Sequence, residues 1–187
     1  MYRAVTWLVL QRGVDVHNES AVTGVAEQAV IDVKPASTSD GRTCDVLVDG
    51  QDVTWETRRS QVEANVSIVA AYRGVRHAMS EKQREIGKRG RVVMVGRDIG
   101  TVVLPDADLK IYLDASLQER ARRRHQQDLL HGTRSDYSEI LKAVTERDRI
   151  DSTRDIAPLR AASDAVILDS DKLSADEVFE RARMLSE

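Results

Sequence analysis

Three stretches of the chain gather residues that can handle an anion. The first is Gly96-Arg97-Asp98-Ile99-Gly100-Thr101, which sets a cation and an anion between two glycines. Glycine allows close backbone approach of a ligand. Arg97 can neutralise a phosphate, and Asp98 can accept from an amino group or a hydroxyl. A structural Arg–Asp pair in a loop would have the same composition. The second stretch is a predicted helix from Ser116 to Leu130 that carries Arg120, Arg122, Arg123 and Arg124 and runs into Leu130-His131-Gly132-Thr133-Arg134. Arg120 and Arg124 lie one turn apart on one face, with Arg123 beside them. A solvated basic helix face would look alike. The third is Glu146-Arg147-Asp148-Arg149-Ile150-Asp151-Ser152-Thr153-Arg154. Arg147, Asp151 and Arg154 fall at i, i+4 and i+7 and share a helical face, while Asp148 and Arg149 point elsewhere. One carboxylate between two guanidiniums suits a sugar hydroxyl beside a polyphosphate, and equally a surface ion-pair ladder.

Taken together, these arginines fit phosphoryl transfer, in which a protein positions groups and neutralises charge spread over phosphate oxygens. Arg outnumbers Lys 22 to 6. Arg grips phosphate oxygens with a planar fork. A GC-rich genome would raise the ratio everywhere, so position carries the argument and the count does not. The histidines His17, His77, His125 and His131 show no ligand spacing, so no metal–histidine site is expected. The formal net charge of −3 hides segregation: residues 1–57 carry −5, 58–97 carry +7, 98–119 carry −4, 120–149 carry +3 and 150–187 carry −4. The two basic blocks must hold something anionic or face solvent.

The elements that position these residues follow from periodicity. Tyr2 to Gln11 predicts a helix with Val5, Leu8 and Val9 on one side, and Glu19 to Ala29 a second. The period then falls to two. Val30–Val33, Cys44–Val48 and Gln51–Val53 read as short antiparallel strands, with Asp49-Gly50 as a hairpin turn. Helical patterns resume over Thr57–Ala71 and Gly74–Ile86. The apolar runs Val92–Val95, Leu109–Leu113 and Ala165–Leu168 predict buried parallel strands, each followed by a loop and then a helix. Two of those helices open on capping-box patterns, Ser116…Glu119 and Ser174…Glu177. Strands alternating with helices predict an α/β fold, a parallel sheet with helices on both faces. Its ligand site would lie at the carboxyl ends of the strands, where Arg97 and Asp98 stand. The antiparallel patch is an insert, taken as 25–56.

Composition sets the outer limits. The 187 residues are 41% hydrophobic and 32% charged, which excludes global disorder and suits one domain. Aromatics are 4%, so the core must be aliphatic. Cys44 is the single cysteine, which excludes a disulfide framework and a Cys-based zinc site. No run approaches a membrane span, and the N-terminus does not read as a signal peptide. A reduced, cytoplasmic, monomeric protein is expected, with no membrane partner.

These residues resemble bacterial cytidylate kinase, within the nucleoside monophosphate kinases. Met1-Tyr2-Arg3-Ala4 is similar to the end of the motif D-[ST]-G-A-x-Y-R. Val66-Ser67 through Arg76, then Gln83-Arg84, resembles the helical pair over the monophosphate. Gly96 to Ala107, and Glu146 through Arg154 to Leu159, are similar to two further signatures. The order and gaps also match, and the likeness runs along the whole chain as one kinase domain, 1–187. A small three-stranded insert is a feature of cytidylate rather than adenylate kinases.

The resemblance implies a P-loop-kinase-like fold and the reaction of ATP with CMP or dCMP, with Mg²⁺ bridging the ATP phosphates. It implies that Arg3 and Arg97 hold the monophosphate, and that Ser67, Arg76 and Asp98 read the cytosine edge. Arg147 and Asp151 would hold the ribose, with Arg154 at the phosphates. Arg120, Arg123 and Arg124 would lie on a lid over 120–147; Arg123, Arg147 and Arg154 would be catalytic. The family's first strand and its G-x-x-x-x-G-K-[ST] loop, which cradles ATP, have no counterpart in residues 1–187. The chain reads as N-terminally truncated, and as it stands it is expected to be inactive. Loss of that strand should leave a sheet edge unpaired and apolar surface exposed. A non-catalytic nucleotide-binding or interaction module is the rival reading. A nucleic-acid binder is disfavoured, because the basic helices lack interleaved aromatics.

Overall fold

The computed structural model describes residues 1–130, 132, 135–153 and 157–187. The chain divides into two compact units, Met1–Met94 and Val95–Glu187.

The first unit is built on α1 (Tyr2–Gln11), which buries Ala4, Val5, Thr6, Trp7, Leu8 and Val9. Sequence spacing suggested one apolar face; the helix is instead enclosed over most of its circumference, as a core helix is. Thr6 is tolerated there because its hydroxyl donates to the Tyr2 carbonyl at 2.9 Å. α2 (Glu19–Gln28) starts at Asn18, whose side chain accepts from the Ala21 N–H. Helices α3 (Ser60–Ala71) and α4 (Arg73–Gly87) complete the cluster. The core is aliphatic, as composition requires: Val22, Val25, Val62, Val69, Val75 and Met79 join α1.

The insert forms a three-stranded antiparallel sheet of β1 (Ile31–Pro35), β2 (Cys44–Val48) and β3 (Gln51–Asp52), in that order. Ile31 pairs with Val48 and Pro35 with Cys44. Asp49 and Gly50 take φ of 50° and 82°, the two positive values a tight I′ hairpin needs. Buried Ile31 and Val48 turn one face of the sheet to the core. A short 3₁₀ turn, Glu56–Arg58, leads into α3.

The second unit is α/β. Strands β4 (Ile111–Asp114) and β5 (Val166–Asp169) pair in parallel, with Ile111 opposite Val166 and Asp114 opposite Asp169. Helices α5 (Leu117–Leu130), α6 (Tyr137–Thr153) and α7 (Ala175–Ser186) accompany them. Two of the three expected parallel strands form. Val92–Val95 does not: no residue of it is in a strand, and Val93 and Val95 are more than 90% exposed. An apolar run becomes a strand only when a neighbour takes its N–H and C=O groups. Among the described residues β4 and β5 pair with each other alone.

The capping boxes also differ. At α7, Ser174 and Glu177 cap each other reciprocally. At α5, the Glu119 N–H donates to Ser116 Oγ, but the Ser116 N–H donates to Asp171 Oδ1 at 2.6 Å. Glu119 is drawn off by Arg122 and Arg123 instead.

Burial predicts unequal tolerance. Met79 is fully buried, whereas Phe179 is 64% exposed. Met79→Ala should destabilise the protein by about 2–5 kcal/mol. Phe179→Ala should change stability by no more than about 0.5 kcal/mol. Urea denaturation followed by circular dichroism checks both.

Candidate active site

The segment 96–98 lies in the second unit and leads into a π-helical turn, Ile99–Val103. The Val102 N–H donates to the Asp98 carbonyl at 2.9 Å, and the Leu104 N–H to the Ile99 carbonyl at 2.7 Å. Gly96 sits close beneath a side chain: a Cβ there would lie 2.7 Å from Ile99 Cγ1, so a larger residue would make Ile99 shift. The close approach that this glycine permits is thus one made by the protein itself. Asp98 is buried. The Arg97 guanidinium pairs with the Asp151 carboxylate, near the end of α6. Asp151 is buried too, and its carbonyl accepts from the Leu159 N–H at 2.7 Å. Two residues picked from separate sequence stretches therefore meet directly.

Helices α5 and α6 are joined by a bidentate pair. Arg120 Nη1 and Nη2 donate to Asp148 Oδ1 and Oδ2 at 2.8 and 2.6 Å, while Nε donates to the Ala115 carbonyl at 3.0 Å. Hydrogen bonding to Arg120 lowers the Asp148 pKa, and the same contact raises that of Arg120. Asp148 is at i−3 from Asp151, so two carboxylates of α6 each receive an arginine from outside the helix, Arg120 from α5 and Arg97 from the loop. Arg123 reaches the end of β5: Nη1 donates to Ser170 Oγ at 3.1 Å, Nη2 to the Ser170 and Leu173 carbonyls, and Nε to Glu119. Ser170 is itself buried and donates from Oγ to the Asp114 carbonyl at 2.8 Å. Glu119 is held down to about 2, chiefly by hydrogen bonding to Arg122 and then to Arg123. Arg124 pairs with Asp128 at 3.2 Å. Arg147 is exposed. Arg154 lies outside the described residues, as does Arg134.

In the first unit, Arg3 Nη1 donates to the Thr57 carbonyl and Nη2 to Glu63 Oε1, both at 3.3 Å. Arg76 is buried on α4; its Nη1 donates to the Ala70 carbonyl at 3.2 Å, and its guanidinium stands 5.4 Å from the Tyr2 ring centroid. Ser67 is exposed on α3.

Sequence spacing singled out Arg97, Asp98, Arg147, Asp151 and Arg154 from the residues alone. Arg3, Ser67 and Arg76 came only from resemblance. A signal for Arg76 did exist: it shares the buried face of α4 with Val75, Met79 and Ser80, and an arginine on an apolar face needs partners. Helical spacing turns Asp148 away from the face of Arg147 and Asp151. The signal it lacked is the position of Arg120 on the neighbouring helix, which only the fold supplies.

The second unit is thus an α/β unit whose glycine-flanked loop and paired helices are tied together by arginine–carboxylate pairs. The family profile described as cytidylate kinase matches residues 1–186. The chain is 48% identical to the cytidylate kinase of Anoxybacillus flavithermus over 97% of its own length and 79% of the relative's. It is 46% identical to that of Herpetosiphon aurantiacus (96% and 77% covered) and 50% identical to that of Roseiflexus castenholzii (95% and 75%). The chain belongs to the cytidylate kinase family.

The Arg120–Asp148 pair yields a test. Both side chains meet water, so screening holds their coupling to about 0.5–1 kcal/mol at neutral pH. The folded-state pKa of Asp148 lies below its unfolded value. Its contribution is therefore intact above about pH 4 and is lost as pH falls through the folded value. A double-mutant cycle with Arg120→Ala and Asp148→Ala, run at pH 7 and in acid, should show the coupling and its disappearance.

Proposed function

We propose that this protein transfers the γ-phosphate of ATP to CMP or dCMP, giving CDP or dCDP. The observation that carries the reading is the family match through residues 1–186, together with the Arg97–Asp151 contact and the burial of Asp98 within the matched motifs. Arg3 and Arg97 take the monophosphate. Asp151 and Arg147 take the ribose, and Arg154 and Arg123 act on the transferring phosphoryl group. Arg120 and Arg124 belong to the lid over ATP. The co-substrate arrives as Mg·ATP, its ion carried on the phosphates; among the described residues no group of three or more His, Cys, Asp or Glu forms a metal site. We place the protein in the cytoplasm as a monomer acting on free nucleotides. Among the described residues no helix is long and apolar enough to cross a membrane.

Selectivity follows from Ser67, Arg76 and Asp98. Cytosine presents an amino donor at C4 beside an unprotonated ring nitrogen. An ionised Asp98 accepts from the amino group, and Arg76 or Ser67 donates to the nitrogen. Uracil sets a carbonyl against the carboxylate, so acceptor faces acceptor. A buried acceptor left unpaired costs about 1–3 kcal/mol.

Residues 1–187 contain no G-x-x-x-x-G-K-[ST] loop, so we propose that they bind CMP and that turnover needs a chain carrying that loop. Titration calorimetry tests the binding half. CMP should bind at least about fivefold more tightly than UMP, the lower end of that cost; equal affinities would overturn the base-reading roles. Asp98→Asn should reduce CMP affinity more than UMP affinity, and an equal fall in both would make Asp98 structural. In a loop-bearing form, Arg154→Ala should slow phosphoryl transfer by about 10³ or more, as loss of a transition-state arginine does. Stopped-flow measurement of ADP release checks this.

A further inference from the structure

The connection between β1 and β2, residues 36–43, is mostly Ser, Thr and other small residues, yet it is fastened by one side chain. Arg42 is 8% exposed and engages three carboxylates. Its Nε and Nη2 donate to Asp40 at 2.9 and 2.8 Å, and its Nη1 donates to Asp45 at 2.9 Å and Asp52 at 2.6 Å. Asp40 also accepts from Trp55 Nε1 at 2.9 Å.

From this hub a line of hydrogen bonds runs out of the insert. Asp52 Oδ1 accepts from the Thr54 hydroxyl at 2.6 Å and from its N–H at 2.9 Å. The Thr54 carbonyl accepts from the Thr57 hydroxyl at 2.8 Å. The Thr57 carbonyl in turn accepts from Arg3 Nη1 at 3.3 Å. Both threonines are buried, so the Thr57–Thr54 link at the middle of the line is screened from water, while Asp52 and Arg3 at its two ends meet solvent. Arg3 is the one member at the far end with donors to spare: among the described residues it meets only Thr57 and Glu63, against five N–H groups available.

We propose that Arg42, Asp52, Thr54 and Thr57 are positioning residues: they set the Thr57 carbonyl, and through it the Arg3 guanidinium, for the nucleotide phosphate. This rests on the proposed role of Arg3. The insert is then a brace for one phosphate contact. A guanidinium already held in place loses less rotamer freedom when the anion binds.

The test compares CMP with cytidine, which lacks the phosphate, by NMR titration of the 187-residue chain, a method that reaches millimolar affinities. Thr57→Val cuts the last side-chain link, Arg42→Gln the first, and Arg3→Ala removes the end point. Arg3→Ala should lower the CMP-over-cytidine preference by tenfold or more. Thr57→Val and Arg42→Gln should lower it by about threefold to tenfold, the worth of one hydrogen bond, with cytidine affinity unchanged. Thr57→Ser keeps the hydroxyl and should restore the preference. In an Arg3→Ala background, Thr57→Val should have no further effect. An unchanged preference in Thr57→Val, or an equal loss for both ligands, overturns the brace. If Arg42→Gln does not fold, Thr57→Val decides. Absence of CMP binding in the parent chain would instead overturn the proposed function, and an unchanged preference in Arg3→Ala the role of Arg3; either removes the brace with it.

Discussion

The contact between Arg97 and Asp151 joins the glycine-flanked loop to the end of α6. Asp151 is buried, and a buried carboxylate without a cation would be costly enough to move the loop or to neutralise itself. The pair therefore dictates where 96–98 can run. The same logic repeats outward. Arg120 and Asp148 tie α5 to α6, and Arg123 ties α5 to the end of β5 through Ser170. In the second unit, guanidiniums do much of what aliphatic packing does in the first. The described hydrophobic core cluster lies wholly in residues 1–79, whereas the buried apolar residues beyond 95 are Val103, Ala121, Ala157 and Leu168. Ion pairs hold geometry more than they add stability.

The segregation of charge along the chain has a local use as well. The acidic insert and the basic turn after α4 meet within the first unit, where Arg89 Nη1 lies 2.8 Å from Asp32 on β1. Hydrogen bonding to Arg89 holds the Asp32 carboxyl below the usual range. The +7 block is thus partly matched at home. Part of the positive charge that had either to hold an anion or to face solvent is a partner for the −5 block that precedes it.

Much of the architecture was legible because local signals and burial agree. The helices Tyr2–Gln11 and Glu19–Gln28 and the Asp49-Gly50 hairpin sit where periodicity and turn chemistry put them. Val92–Val95 shows the limit. Its composition suits a parallel strand, but strand formation depends on a partner edge that composition does not encode. α7 is a related case: its capping box was readable and formed, while Phe179 and Leu185 on its apolar stripe remain exposed. Within the candidate site, i, i+4 spacing brought out Asp151, but its cation in the structure is Arg97, 54 positions away in the chain and invisible to helical spacing. Asp148 and Ser170 could not be found that way, because their partners stand 28 and 47 residues away.

Arginine is suited to this arrangement where lysine is not. Arg120 and Arg123 each satisfy acceptors in several directions at once, carboxylate and backbone carbonyl together. Such contacts need a rigid fork with donors on every nitrogen. An ammonium could replace the charge but not the simultaneous directions. Where the fork is largely engaged, as in Arg42 and Arg120, the side chain fixes backbone. Where it is held at one edge, as in Arg3, the described contacts use only two of its nitrogens, and the role proposed for it is to receive an anion. The division of labour among arginines of one chemistry thus follows from how many of their donors the fold has already engaged.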